Sequence, residues 1–265
     1  MKKLAFILAI YVFPLIANSQ IVRPEAVAEA MSNTFNLYGD KLTGTCFMIT
    51  KDGKQYFVTA AHLFQSSHKS GDPVSIRMVV QNQLQSFDGR IYFHQNRNID
   101  IAVLKLSENI SQHTELPEEY AMHREFFDHL FPGNGISTDS LIIPPAMEVF
   151  FFGFPLGNLG TEIFGLKLPL TKKAVVSGWM IHKGIHLLLL DGHNNAGFSG
   201  GPVVGYDTAS KRMKIVSVIS GYVPEPISVK QRKETFSVNT NSGIIISYDR
   251  RYINDIFKEN SRVLR

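Results

Sequence analysis

Three polar residues stand in sequence settings that suit acyl-transfer chemistry. His62 ends the run VTAAH, Asp100 begins the run DIAVL, and Ser199 lies within the small-residue segment GFSGG. Hydrolysis of an amide needs a nucleophile, a base that takes and returns its proton, a group that orients the base, and donors for the developing oxyanion. The sequence offers one candidate for each of these roles.

His62 and Asp100 are candidates for the base and for the group that orients it. His62 follows a β-prone run that gives way to small residues, so we expect its ring to emerge at a strand end and not inside the core. Asp100 heads an apolar strand, where a buried carboxylate costs several kcal/mol unless it is paired. An imidazole N–H would satisfy it, so the two side chains are predicted to meet.

Ser199 is the candidate nucleophile. Glycines at 197, 200 and 201 leave little bulk around it, so the backbone can turn sharply and expose its amides. We expect the amides of Gly197 and Ser199 to form an oxyanion hole, in which the loss of one donor typically costs about 10²–10³ in rate. Each of the three segments also has a purely structural explanation, such as a turn or a cap. The prediction of acyl-transfer chemistry therefore depends on the order of the three segments along the chain and on the residues around each.

Two other chemistries fit parts of the sequence less well. The segment GFSGG also fits the nucleophile elbow of α/β-hydrolases, but that fold places its histidine after the serine, and the last histidine here is His193. Among nine histidines, His182 and His186 are four residues apart, but Lys183-Gly184 between them is typical of a hairpin turn, and no third ligand is evident. No metal and no cofactor is predicted.

Short β-prone runs make up most of the chain and predict an all-β fold of antiparallel barrels. Asp52-Gly53 and Lys183-Gly184 each separate two such runs, which predicts two hairpins. The runs lie at 47–50, 55–58, 74–80, 89–94 and 100–106 in the first half, and at 146–155, 173–182, 185–191, 201–207, 214–222 and 243–249 in the second.

Helical patterns are confined to three segments. Residues 24–39 begin with Pro24, which suits a first turn, and residues 117–131 have helical spacing. Residues 249–259 form an amphipathic pattern with Asp249 as the N-cap. The break in the strand pattern around 117–131 predicts the join between two halves.

The first residues predict export. Two lysines precede an apolar run, and Ala17 and Ser19 place small side chains before a cleavage site. The run is short for the roughly 20 residues of a membrane span, and Pro14 interrupts it. We therefore expect residues 1–19 to be a signal peptide and the protein to be periplasmic or secreted, with no stable membrane span afterwards. The remaining chain divides into 20–140, with the N-terminal helix, the first barrel and the connecting segment, and 141–265, with the second barrel and the C-terminal helix.

The charge of the chain bears on its binding partners, and its cysteine content bears on internal disulfides. Removal of residues 1–19 lowers the formal charge from +4 to +2, and no Lys/Arg cluster is left on one segment, so the basic pI of about 9.0 does not predict a nucleic-acid partner. Cys46 is the only cysteine, so no internal disulfide can form, and its apolar neighbours predict a buried residue. No oligomeric state follows from the sequence.

The segments VTAAH, DIAVL and GFSGGPVV, in this order, resemble those of trypsin-like serine proteases of the chymotrypsin fold over about residues 43–248. The segment FGFPLG (152–157) and the absence of disulfides resemble the bacterial branch around HtrA and the glutamyl endopeptidases. The resemblance implies a double β-barrel, a His62–Asp100–Ser199 triad in the cleft between the barrels, and a polypeptide substrate. It further implies that VSVISGY (216–222) pairs with that substrate through Ser220, Gly221 and Tyr222.

Phe198 departs from the pattern of the animal enzymes. There an acidic residue before the nucleophile pairs with a newly released N-terminus, and Phe198 has no carboxylate for Gln20, the predicted first residue. Either Phe198 packs into an apolar pocket and holds the loop, which we favour because a buried aromatic contributes on the order of 2 kcal/mol, or the loop is mobile and needs a ligand to order it. The alternative to an endopeptidase is a weak or latent protease fold that binds peptides or a partner.

Substrate specificity is only weakly indicated. If the loop keeps the family's spacing, His193 lies near the base of the pocket, with Asn194 beside it and Tyr222 on the wall. A histidine there favours an acidic substrate side chain. In glutamyl endopeptidases, however, the recognising histidine comes from the strand position that Ile219 occupies here, so the acidic preference is the weaker expectation.

Overall fold

The computed structural model describes residues 22–38, 43–80, 82–110, 135–157, 159–163, 166–231 and 234–264. The predicted signal peptide and the predicted helix over 117–131 lie outside these residues. Within them, strands dominate, and the antiparallel strands close into two six-stranded barrels. The prediction of an all-β double barrel is confirmed.

The first barrel consists of strands β1 to β6 in the order β1-β2-β3-β6-β5-β4, closed by pairing of β1 with β4. The turn between β2 and β3 is Asp52-Gly53, with both residues at positive φ (50° and 73°), as a two-residue hairpin turn requires. The predicted hairpin is confirmed. The strands are Thr34–Tyr38 (β1), Thr43–Lys51 (β2), Lys54–Thr59 (β3), Pro73–Val80 (β4), Gln83–Phe93 (β5) and Ala102–Leu106 (β6).

The N-terminal helix is shorter than the sequence predicted. Helix α1 spans Pro24–Ser32, and the second part of the predicted 24–39 helix is strand β1. Phe35 and Leu37 alternate into the core of the first barrel, and the pairing of β1 with β2 and β4 closes that barrel. Barrel closure therefore overrides the local helical pattern here.

The second barrel has the order β10-β11-β14-β13-β12-β7, and β8 and β9 form a separate two-stranded sheet. The Lys183-Gly184 turn joins β10 to β11 as predicted, with His182 and His186 on its two sides. The strands are Glu148–Gly153 (β7), Thr161–Ile163 (β8), Leu166–Leu168 (β9), Leu170–His182 (β10), Ile185–Asp191 (β11), Pro202–Asp207 (β12), Arg212–Gln231 (β13) and Glu234–Asp249 (β14).

Strand β13 is much longer than the predicted run over 214–222. It continues with β14 as a two-stranded arm in which Pro224 to Gln231 pair with Asn241 to Glu234. Helices α2 (Arg251–Glu259) and α3 (Ser261–Leu264) follow. The N-cap of α2 is Arg250 and not Asp249 as predicted, although the Asp249 carboxylate, one residue earlier, accepts the Arg251 amide at 2.8 Å.

Each barrel has its own apolar interior, and a third cluster fills the space between the barrels and the helices. Cys46 lies fully buried in the first barrel, where burial raises the pKa of its thiol. The Tyr56 hydroxyl donates to the Leu264 carbonyl at 2.5 Å and so ties the C-terminal helices to the first barrel. Across the described part of the chain, no helix is long and apolar enough to cross a membrane.

Candidate active site

His62 and Asp100 meet on the first barrel. Strand β3 ends at Thr59, and His62 lies in the single 3₁₀ turn that follows, with about a third of its side chain exposed. Asp100 lies two residues before β6 with its side chain 12% exposed. The carboxylate accepts the His62 backbone amide at 2.8 Å and contacts ring Nδ1 at 2.7 Å. The predicted contact between these two side chains is therefore present.

Ser220 supplies a third donor to the same carboxylate. Its hydroxyl donates to Asp100 Oδ2 at 2.5 Å from strand β13 of the second barrel. Asp100 is thus held by groups from both barrels. Sequence analysis assigned Ser220 only to the substrate strand, and nothing in the local pattern indicated its bond to a residue 120 positions away.

Burial and charge act in opposite directions on this pair. For His62, partial burial lowers the pKa, but the hydrogen bond and charge of Asp100 together outweigh it, so the pKa lies above its usual 6.5. For Asp100, burial raises the pKa, but the bonds and charge from His62 and the Ser220 hydroxyl hold it below 3.8. Because Asp100 is then a carboxylate, we assign the ring proton to Nδ1, which leaves Nε2 as the basic nitrogen.

The Ser199 hydroxyl forms no hydrogen bond with the His62 ring. It donates to the Ser220 carbonyl at 3.0 Å. Ser220 therefore touches both halves of the site, since its carbonyl accepts from Ser199 and its hydroxyl donates to Asp100. The structure brings all three predicted residues to one cleft between the barrels, with Ser199 turned toward strand β13.

The loop before Ser199 is held through its carbonyls. All seven consecutive carbonyls from residue 193 to residue 199 accept a hydrogen bond. The carbonyls of residues 193 and 194 accept from Lys172 Nζ and Asn241 Nδ2. Those of residues 195 and 196 accept from the backbone amides of Phe198 and Leu156. Those of residues 197, 198 and 199 accept from Thr45 Oγ1, the Gly201 amide and the Thr45 amide. Within the described parts of the chain, the amides of Gly197 and Ser199 have no acceptor. These are the two predicted oxyanion donors.

Gly197 is required by its surroundings. Its φ is +104°, and a Cβ at this position would lie 2.3 Å from the Phe154 carbonyl oxygen. The Ala196 carbonyl accepts from the Leu156 amide at 2.9 Å. In a trans peptide the C=O and the following N–H point in opposite directions, so the Gly197 N–H faces away from Leu156.

Thr45 links the two barrels beneath the loop. It lies fully buried on β2, where its hydroxyl donates to the Gly197 carbonyl at 2.7 Å and accepts the Phe154 amide at 3.1 Å. Its own amide donates to the Ser199 carbonyl at 2.9 Å. Sequence analysis missed Thr45, since its three partners lie more than 100 residues away.

Phe198 packs into the core of the second barrel. Its side chain is fully buried and meets Phe151 edge to face, with ring centroids 5.1 Å apart. Of the two arrangements that the sequence left open, the structure has the packed one. The ring therefore anchors the loop to the core of the second barrel.

The predicted specificity residues differ in whether they are buried or exposed. Asn194 is buried, and its side-chain amide donates to the Gly221 carbonyl at 3.2 Å, which ties the loop to the edge of β13. Tyr222 is 37% exposed on that strand. His193 is exposed at the surface, and Ile219 is fully buried in the second barrel.

More than half of the sequence also matches a known family. The model of the trypsin-like peptidase domain matches residues 44–210, which include His62, Asp100 and Ser199. The chain belongs to this family. It is a trypsin-like serine peptidase, and the predicted resemblance is confirmed.

Solved structures with the same fold include two bacterial proteases. Rv3671c protease from M. tuberculosis, in its active form, is 14% identical, with a TM-score of 0.55 over 91% of this chain and 86% of that one; its inactive form is 12% identical, with a TM-score of 0.56 over 91% and 95%. The HtrA-type protease AlgW, solved with a tripeptide, is 14% identical, with a TM-score of 0.55 over 91% of this chain and 63% of that one. A comparison with curated protein sequences finds no match.

Replacement of Thr45 by Val should loosen the loop. The isosteric change leaves the Gly197 carbonyl and the Phe154 amide buried without a partner, so we expect the free energy of unfolding to fall by about 2–4 kcal/mol. Urea denaturation measures this. Thr45→Ser, which keeps the hydroxyl, should lose about 1 kcal/mol. Thr50→Val on the exposed end of the same strand should change stability by less than about 0.5 kcal/mol. Equal effects for Val at 45 and at 50 would contradict the role of Thr45.

Proposed function

We propose that this trypsin-like peptidase is an exported endopeptidase that cleaves polypeptides through an acyl-enzyme formed on Ser199. The observation that carries the proposal is the pairing of His62 with Asp100 beside a serine loop whose seven carbonyls are all bonded, leaving two amides for an oxyanion. A nucleophile, a base, an orienting carboxylate and oxyanion donors are the parts that amide hydrolysis needs.

The first step is attack by Ser199 on the scissile carbonyl. The hydroxyl first rotates about its Cα–Cβ bond, away from the Ser220 carbonyl and toward Nε2 of His62. His62 then takes the proton as Ser199 Oγ bonds to the carbonyl carbon. Asp100 stays ionised and stabilises the imidazolium that forms.

The tetrahedral intermediate is stabilised by the amides of Gly197 and Ser199. Because the loop carbonyls already have donors, these N–H groups need no rearrangement when charge develops on the oxygen. His62 returns the proton to the leaving amine, and the C–N bond breaks to give the acyl-enzyme. A water activated by His62 then releases the acid and restores Ser199.

The edge of β13 beside Ser199 is suited to an extended polypeptide. β12 pairs with β13 only as far as Val218. Gly221 and Tyr222 pair with β14 on one side, Ser220 lies at a β-bulge before them, and the described residues place no strand on the other side of this segment. Substrate backbone can add there as a strand. Pro224 and Pro226 lack an N–H, and a proline in a strand is tolerated only where the missing N–H would face away from the paired strand, here β14. The outer edge of β13 therefore lacks donors at these two positions, and pairing of the substrate backbone with that edge ends soon after Tyr222.

A latent or weakly active protease fold that binds peptides is the second candidate. The observation in its favour is that the Ser199 hydroxyl bonds to the Ser220 carbonyl and not to His62. In that case the cleft would hold a peptide without turnover. Reaction of Ser199 with an active-site probe separates the two functions.

A fluorophosphonate probe should label the wild-type protein and not Ser199→Ala, as seen by gel fluorescence. His62→Ala should lose nearly all of the labelling, because the serine is a poor nucleophile without its base. The melting temperature of Ser199→Ala should stay close to that of the wild type, and His62→Ala should remain folded with a lower melting temperature, because the buried Asp100 carboxylate loses a partner. Absence of labelling in the folded wild-type protein would favour the peptide-binding candidate.

Turnover of a protein substrate such as casein should show that these residues act as a unit. The variant that carries both Ser199→Ala and His62→Ala should be scarcely slower than either single variant, because each single change already removes nucleophilic attack. Losses that multiply in the double variant would mean that the two residues act independently.

The rate of labelling should rise with pH through a midpoint above 6.5. The neutral ring of His62 is the base, and Asp100 raises the pKa at which that ring becomes neutral. In Asp100→Asn the burial remains while the charge is lost, so NMR titration of the His62 ring should give a pKa below 6.5. Identical ring pKa values in the two proteins would contradict the pairing. By the same linkage, the raised pKa of His62 contributes stability that is complete below about pH 6.5 and is lost as pH rises through its folded-state pKa. The lowered pKa of Asp100 contributes stability that is complete above about pH 3.8 and is lost as pH falls through its folded-state pKa.

Export and domain division complete the proposal. We expect the precursor to be cleaved after Ser19, so peptide mass spectrometry of the exported protein should find Gln20, or the pyroglutamate that an N-terminal glutamine forms, as its first residue. Replacement of Ala17 and Ser19 by Arg should block cleavage, with a matched Arg substitution at Gln20 as the control. An exported chain that still begins at Met1 would count against the signal peptide. The mature chain is proposed to divide into 20–140 and 141–265.

A further inference from the structure

Lys172 is a cation placed behind the Ser199 loop. It lies on β10 opposite Phe151 of β7 and is half-buried. Nζ lies 5.6 Å from the centroid of the Phe198 ring and 5.9 Å from that of Phe151. It also donates a hydrogen bond to the His193 carbonyl. One side chain thus touches the first residue of the loop and the residue directly before the nucleophile.

No carboxylate accounts for this position. Among the described residues, no Asp or Glu forms an ion pair with Lys172, whereas its neighbour Lys173 pairs with Glu148 at the surface. Burial lowers the pKa of Lys172 below its usual 10.5, as expected for an ammonium group partly removed from water. An ammonium group that has lost part of its contact with water is stabilised by the face of an aromatic ring and by a carbonyl oxygen, and the loop supplies both here.

We propose that Lys172 is a positioning residue for the oxyanion loop. Its ammonium group clamps the loop at both ends, through the Phe198 ring and the His193 carbonyl, so that the Gly197 and Ser199 amides keep their direction. This inference rests on the proposed function, because its effect on rate requires Ser199 to react. The Phe198 ring interacts with the Lys172 ammonium group through its aromatic face. A carboxylate at position 198 would instead interact with a cation through its negative charge.

The consequence for rate should differ from that for binding. Oxyanion donors act on charge that develops during the reaction, so a misdirected loop lowers the rate of the chemical step more than it weakens the initial complex. For a fluorophosphonate probe, Lys172→Met should lower the maximal rate of inactivation about tenfold or more, with little change in the probe concentration at half-maximal rate. Met retains the apolar contact with both rings and removes the charge and the donor.

Hydrogen exchange followed by mass spectrometry supplies a readout that does not depend on activity. The amides of Phe198, Gly200 and Gly201 are hydrogen-bonded within or beside the loop, so their exchange reports whether the loop stays closed. In Lys172→Met we expect faster exchange confined to peptides that cover 193–201. Lys172→Arg, which restores the cation over the ring and a donor, should recover both the rate and the protection. Lys173→Met is the matched control and should resemble the wild type.

The outcomes separate this inference from the proposed function. If the wild-type protein is labelled and Lys172→Met matches Lys173→Met in rate and exchange, the inference is wrong and the proposed function stands. If exchange rises evenly over both barrels, Lys172 stabilises the whole fold and is not a positioning residue. If the wild-type protein is not labelled, the proposed function fails, and exchange alone decides whether Lys172 holds the loop.

Discussion

The site depends on one constraint, which is that every carbonyl of the loop before Ser199 has a donor. An unpaired buried carbonyl is costly, so once these seven bonds form, the peptide planes of the loop have little freedom to rotate. The donors come from both barrels: Thr45 belongs to the first, and Lys172 and Asn241 belong to the second. The loop can therefore adopt this shape only when the two barrels pack together. The direction of the Gly197 and Ser199 amides is in this sense a property of the whole fold.

The same contact between barrels governs the electrostatics of the pair. His62 and Asp100 belong to the first barrel, and the Ser220 hydroxyl reaches Asp100 from the second. A carboxylate that is mostly buried stays ionised only because these donors offset its desolvation. Assembly of the cleft and ionisation of Asp100 are thus coupled, because the Ser220 hydroxyl of the second barrel adds to the contacts from His62 that hold the pKa of Asp100 below 3.8.

Sequence reasoning succeeded where the signal was local. The turns at Asp52-Gly53 and Lys183-Gly184 need only two residues with positive φ, and the order of His62, Asp100 and Ser199 needs only short segments. It failed where partners are distant in the chain. The local pattern of residues 34–38 predicts a helix, but they form a strand because their pairing closes the first barrel. Thr45 and Lys172 show no pattern of their own, because their roles come from loop carbonyls about 150 and 21 residues away. The long arm of β13 was missed for a related reason, since Pro224 and Pro226 indicate the end of a strand unless its outer edge is free.

Phe198 shows how a different interaction can meet the same requirement. An acidic residue before the nucleophile needs a positively charged partner. A loop held in that way takes its shape only after cleavage has released the N-terminus that carries this charge. A fully buried phenylalanine contributes roughly 1.5–3 kcal/mol through apolar burial, a contribution that is present as soon as the second barrel folds. The cation of Lys172 over its ring belongs to the same polypeptide and the same barrel. A loop held by these contacts requires no cleavage to acquire its shape, so the physical argument favours a site that forms on folding.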